Sequence, residues 1–271
     1  MNIKTKTQYG SSELKAKIMH HIQELAEATD AARMSEEMLF YLDMCARFHK
    51  YSPQNVWLIM MACPDASKVA GFKKWYTMGR YVRKGEGGIP ILAPILATVE
   101  NEDGKEDKKL IGFKVVYVFD ISQTDGEPLP DPPSWKSPEQ NAKLTECLIK
   151  FAERKGIKVS FKDLEGDIQG MSMGGTIHLS PEAGTKTIIH EIAHELMHQD
   201  EYHLLDKTIL ELEAESVAYV VAKHFGIDGL SSPNYVALHG ADSERILDHL
   251  HRIRKFALMI INELENLGIG E

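Results

Sequence analysis

Cysteine is scarce here and badly placed for cross-linking. The three cysteines, Cys45, Cys63 and Cys147, are odd in number, far apart and free of any Cys-x-x-Cys spacing. That argues against a disulfide scaffold and against a thiolate zinc site. Buried free thiols in a reducing, cytoplasmic setting are the expectation. Long hydrophobic runs are also lacking. No stretch approaches the roughly 20 apolar residues of a membrane span, and Met1-Asn2-Ile3-Lys4-Thr5-Lys6 leads into no signal-peptide core, so no membrane partner is expected. Positive charge is in deficit: the formal net charge is −9, which speaks against nonspecific nucleic-acid binding by the chain as a whole. The deficit is uneven. From Arg47 to Pro94 the bases are Arg47, Lys50, Lys68, Lys73, Lys74, Arg80, Arg83 and Lys84, against only Asp65 and Glu86.

What is present is ordinary for a globular protein: 43% hydrophobic and 26% charged residues over 271 positions, enough for one or two domains. Apolar spacing predicts a helix over Ser12–Ala32, with Leu14, Ile18, Ile22 and Leu25 inward. A second helix is expected over Ser35–His49, with Ser35 as N-cap and Met38, Leu39, Leu42, Met44 and Cys45 inward. A short apolar helix follows from Gln54 to Ala62. Phe72–Tyr76 reads as a helix ended by Gly79, Arg80–Val82 and Ile89–Ala93 as strands, and Gly112–Asp120 as a further strand beyond a solvated loop, Glu100–Lys109. Thr124–Pro138 contains five prolines and reads as a stiff linker between two domains. Beyond it, a helix over Glu139–Lys155, a strand at Ile157–Phe161, one or two short strands around Gly174-Gly175 and a closing helix over Asp242–Leu267 are expected. The last has Ile246, Leu250, Ile253, Ala257, Ile260 and Ile261 inward. The fold class is α+β.

Two stretches carry chemistry. In the first, aromatic and basic residues interleave: Lys73, Lys74, Trp75, Tyr76, Arg80, Tyr81, Arg83 and Lys84. Bases of single-stranded DNA stack on such rings while cations follow the backbone; the competing reading is rings in the core and charges on an ordinary surface. In the second, Thr187–His198 contains His-Glu-x-x-His. Positions four apart share a helix face, so His190 and His194 can aim at one zinc ion, with Glu191 as general base. A catalytic zinc takes three protein ligands and leaves a position for water. The next helix, Thr208–Ala222, offers Glu211 and Glu215 on one face and Glu213 on another. Glu211 is the expected ligand, Glu213 the alternative, and Glu215 the carboxylate that orients a ligand histidine. Tyr235 and His239, in the loop beyond, are candidates to stabilise an oxyanion. His249 and His251 read as surface or packing residues.

The second stretch, His-Glu-Ile-Ala-His-Glu-Leu-Met-His with Glu-Leu-Glu-Ala-Glu-Ser-Val-Ala, resembles the ImmA/IrrE-type metallopeptidases and the C-terminal domain of ArdC-type antirestriction proteins. Asn55–Pro94 and Val118–Thr124, above all Gly79-Arg80-x-Val82-Arg83-Lys84-Gly85-Glu86-x-Gly88, resemble the N-terminal single-stranded-DNA-binding domain of the ArdC type. The resemblance implies a helical N-terminal domain with a small antiparallel sheet over 1–123, the proline-rich linker 124–138, and a zincin-like (gluzincin) domain over 139–271. It implies one Zn²⁺ per chain, completed by Glu211 within a Glu-x-x-Ala element. His198 would close the first helix without being a ligand, and an edge strand beside the zinc would pair with an extended peptide. The implied partners are single-stranded DNA and a protein or peptide substrate. Two rivals stand: an antirestriction factor that binds DNA without proteolysis, its zinc structural, and a repressor-cleaving peptidase without DNA binding.

Overall fold

The computed structural model describes residues 9–27, 31–100, 106–129, 138–199, 206–227, 230, 233, 235–238 and 241–267. Its architecture is α+β, and its residues group into two compact units. One comprises Met1–Ile22 and Gln54–Leu129, the other Gln23–Pro53 and Pro130–Glu271.

The first unit takes the N-terminal part of α1 (Ser11–Glu27), α3 (Pro53–Ala62, from Gln54 on), α4 (Phe72–Thr77) and two antiparallel sheets. Leu14, Ile18 and Ile22 of α1 are buried, as their spacing requires. Proline opens α3, where its missing N–H costs nothing. Strands β1 (Val69–Gly71), β4 (Glu106–Asp120) and β3 (Ile89–Glu100) form a sheet in the order β1-β4-β3. β2 (Arg80–Val82) pairs with β5 (Thr124–Gly126). The charged stretch after Glu100 is not a loop as far as Lys109: Glu106–Lys109 pairs with Ala97–Glu100, the register shifting between Ile95 and Leu96. Thr124–Gly126 belongs to a sheet, so that part of the proline-rich stretch is not linker; residues 130–137 lie outside the described ones. Two side chains fasten this unit. Asn55 exchanges hydrogen bonds with the backbone of Leu92, at 2.8 and 2.9 Å. Asp120 accepts from the backbone of Ser67, Lys68 and Ser122; burial raises its pKa, but these bonds outweigh that and hold it below the usual value.

The second unit contains α2 (Ala31–Arg47), α5 (Pro138–Arg154), α6 (Thr185–His198), α7 (Lys207–His224) and α8 (Ser243–Asn266). Its sheet has the order β6-β8-β7, from β6 (Lys158–Phe161), β8 (Thr176–Leu179) and β7 (Gly170–Ser172). β7 is an edge strand and packs on α6. α2 starts at Ala31, so Ser35 sits inside the helix and is not its N-cap. Residues of α2 group with this unit because the helix packs on α7, where Tyr219 donates to Asp43 at 2.7 Å. Every residue expected inward on α8 is buried, and Asp242 caps it through the Arg245 N–H. Among the described residues, no helix is long and apolar enough to cross a membrane.

Candidate metal centre

The site is built on two packed helices, α6 and α7. Helical spacing stacks His190 over His194, ring centroids 4.6 Å apart. Their Nε2 atoms lie 3.0 Å from each other. Glu211 of α7 reaches the same point, its Oε2 3.4 Å from His190 Nε2 and 3.6 Å from His194 Nε2. These three side chains can together hold a metal ion. Ligands about 2.1 Å from a tetrahedral ion stand about 3.4 Å from one another, close to the separations seen.

The outward nitrogens are fixed by neighbours. Glu215 Oε2 lies 3.2 Å from His190 Nδ1, an ion-pair contact off the straight line of a hydrogen bond, and Lys186 pairs with the other oxygen of Glu215. On the far side a relay runs through the core. His198 Nε2 donates to Glu213 Oε2 at 2.9 Å, so neutral His198 must accept at Nδ1. His194 Nδ1, 3.2 Å away, is then the donor. In its neutral form each ligand-type histidine can therefore turn a lone pair toward Glu211 through Nε2. Three acceptors facing one point call for a cation.

The charges agree. Burial alone would lower the pKa of His190, yet Glu211, Glu215 and Glu191 raise it to about 9. Glu211 is held well below the carboxylate range by His190 and His194. Burial pushes Glu215 up, but His190 and Lys186 outweigh it and bring it to about 2. Glu191 is different. Burial raises its pKa, the two histidines oppose that only partly, and it stays above its ordinary value, a more basic carboxylate beside the cluster.

Glu191 lies against the backbone of β7. A Cβ at Gly170 would stand 2.7 Å from Glu191 Cγ and 2.8 Å from its Oε1, so glycine there leaves the carboxylate its room. β7 is tied to α6 by Glu195, which accepts from Ser172 Oγ at 2.6 Å and from the N–H groups of Met173, Gly174 and Gly175. Gly174 and Gly175, both at positive φ, make that turn. Sequence reasoning passed over Glu195, although a carboxylate one turn beyond Glu191 on an apolar helix was its signal.

Other expectations fare variously. Glu213, the alternative ligand, is wholly buried and turned away, held by His198, by His249 at 2.7 Å and by Arg252 at 3.2 Å. His249 is accordingly buried, the packing alternative of the two expected for it. Tyr235 is no oxyanion donor: it is fully buried, its hydroxyl 2.9 Å from Ser216 Oγ. His239 lies outside the described residues. In the first unit Trp75 is 1% exposed and donates to the Phe119 carbonyl at 2.8 Å, so it stacks no base. Arg80 spends its guanidinium on Thr124, Gly126 and Glu127, and Arg83 on Glu86, Asp125 and the Ser122 carbonyl. Lys73, Lys74, Tyr76, Tyr81 and Lys84 remain exposed, the two tyrosine rings edge-to-face at 5.6 Å.

Over 294 aligned positions the chain is 28% identical to an uncharacterized protein of Bacillus anthracis, spanning 89% of this chain and 50% of that one. The chain thus covers about half the length of this curated relative. Crystal structures of the antirestriction ArdC protein from the R388 plasmid, one metal-free and one Mn(II)-bound, are similar at 17% identity over 80% of this chain. They are covered to 86% and 84%, with TM-scores of 0.48 and 0.45. By sequence, residues 11–119 match the family model of the N-terminal domain of anti-restriction factor ArdC.

Proposed function

We propose that the chain is a zinc-dependent metallopeptidase joined to a single-stranded-DNA-binding region and serving antirestriction or the transfer of a mobile element. The observation that carries the enzymatic part is the convergence of two imidazole nitrogens and one carboxylate on a point beside Glu191. Two imidazoles and one carboxylate suit Zn²⁺ and match the ligand set of hydrolytic zinc sites. An ion held there by His190, His194 and Glu211 would act as a Lewis acid toward a carbonyl and lower the pKa of water. The rest is the work of the chain. Glu191 takes the proton of the attacking water and returns it to the leaving amine. His198 and Glu215 keep the ligand nitrogens aimed. The free edge of β7 offers backbone groups to an extended peptide alongside Glu191.

Chelation should abolish hydrolysis of a fluorogenic peptide mixture, and stoichiometric Zn²⁺ should restore it. Failure of Zn²⁺ to restore any hydrolysis would remove the reading. Gly170→Ala should displace Glu191 and lower kcat/KM about a hundredfold, since a shift near 1 Å costs that much, while bound zinc stays constant by atomic absorption.

The DNA-binding part rests on Tyr76 and Tyr81, exposed beside Lys73, Lys74 and Lys84, within the matched residues 11–119. Fluorescence anisotropy with a labelled single strand should show binding that salt weakens and that exceeds binding to a duplex. Tyr76→Ala with Tyr81→Ala should cost about 2–6 kcal/mol of binding, at about 1–3 kcal/mol per stacked base. An unchanged affinity in that variant would assign both rings to ordinary surface.

A further inference from the structure

A second group of metal-type donors lies away from the centre described above. His49 stands two residues beyond the end of α2, His224 is the last residue of α7, and Glu265 lies in the last turn of α8. Glu265 Oε1 is 3.4 Å from His224 Nε2 and 3.9 Å from His49 Nε2. The imidazoles stand edge-to-face, centroids 4.5 Å apart, and each of the three side chains offers a donor atom within 4.8 Å of the others.

Hydrogen bonding leaves this group unresolved. His224 Nδ1 faces the Ala46 carbonyl at 3.1 Å and must donate to it. Neutral His224 then turns a lone pair, not a proton, toward Glu265, and two acceptors confront each other. His49 adds a third: both of its ring nitrogens are buried without a well-aligned hydrogen bond among the described residues, although the Ala46 backbone also interacts with the ring. A buried polar atom left so costs about 1–3 kcal/mol. The backbone adds to the imbalance. Helix C-termini carry partial negative charge and orphan carbonyls, and here the ends of α2, α7 and α8 bring their donors together. A carboxylate in the last turn of its own helix is itself unfavourably placed unless a cation faces it.

We propose that His49, His224 and Glu265 bind a second divalent cation of the zinc class, which clasps the C-terminal ends of α2, α7 and α8. The donor set is two imidazoles and a carboxylate, suited to Zn²⁺ or Co²⁺ and poor for Ca²⁺ or Mg²⁺. Glu265 is one-third exposed, so water can complete the tetrahedron. Among the described residues the group holds no second carboxylate to play the part that Glu191 plays at the other centre, and the role is structural. The rival is a protonated His224 paired with Glu265, which needs no metal.

The test uses the full chain, without a histidine tag and stripped by a chelator, carrying His190→Ala and His194→Ala to silence the first centre. Titration with Zn²⁺ by calorimetry, and with Co²⁺ by visible absorption, should give one equivalent, the d–d bands of a tetrahedral nitrogen–oxygen site, and a raised Tm. Adding Glu265→Gln, or separately His49→Ala, should bring the equivalents to zero and remove the rise in Tm, with circular dichroism showing the fold kept. If the doubly substituted background does not fold, the otherwise unaltered chain serves: two equivalents, falling to one in Glu265→Gln. No binding in the background, one equivalent in the otherwise unaltered chain that Glu265→Gln leaves in place, or binding that survives both added substitutions overturns the second site and favours the ion pair.

Discussion

Glu191→Gln is expected to keep its metal and lose its hydrolysis. The amide keeps the shape of the carboxylate and fits the same space against Gly170, where the backbone approaches too closely for any larger neighbour. None of the three ligand-type atoms comes from residue 191, so zinc per chain should equal that of the unaltered protein. What disappears is the base. A positioned general base contributes about a hundred- to ten-thousandfold, and burial has already made this carboxylate more basic than an ordinary one. The fall should appear in kcat with little change in KM, because Glu191 acts on the water and not on the peptide. Undiminished turnover in a zinc-loaded Glu191→Gln chain would sink the mechanism. The same variant divides the biological readings. If it hydrolyses nothing yet still protects incoming DNA from restriction, protection does not depend on proteolysis.

How much of this the sequence disclosed depends on whether a signal is local. His190, His194, Glu211 and Glu215 were legible because helix periodicity alone puts residues four apart on one face, and the structure brings the two pairs together. The buried faces of α1 and α8 were legible for the same reason. Tertiary placement was not. Nothing in the composition of residues 23–53 told that α2 packs on α7, and nothing near Trp75 told that its indole serves the Phe119 carbonyl. Basic residues misled similarly: Arg80 and Arg83 look like anion contacts in sequence, yet a guanidinium with five donors also suits the binding of backbone carbonyls. The charged stretch after Glu100 concealed a hairpin because strand pairing beyond the core needs no apolar alternation. Glu213 was ambiguous from spacing alone. Its partners His249 and Arg252 come from α8, beyond the reach of any local pattern.

That buried carboxylate, Glu213, should be a costly single loss in the second unit. Glu213 is fully buried and meets His198, His249 and Arg252 at once. Burial raises its pKa, and the bonds from His198 and His249 with the charge of Arg252 reverse this, holding it near 2 against an ordinary 4.5. Removing one partner from such a group leaves the others buried and unmatched, and Glu213→Ala should lose about 3–5 kcal/mol in urea unfolding at neutral pH. The sign of the pH dependence follows from the depressed value. Glu213 contributes fully above about 4.5, and its contribution drains away as pH falls toward 2. The gap between Glu213→Ala and the unaltered chain should therefore narrow in acid, and a gap constant from pH 7 to pH 3 would show that packing, not charge, sets the cost. The loss should also reach the metal centre. Without Glu213, His198 has no acceptor for its Nε2 proton and can turn its donor toward His194, which frees the ring of His194 to tilt. Outer partners of this kind are worth about 10–100-fold in metal affinity, and a competitive zinc titration of the folded variant should find that loss, although Glu213 touches no ligand-type atom of the centre.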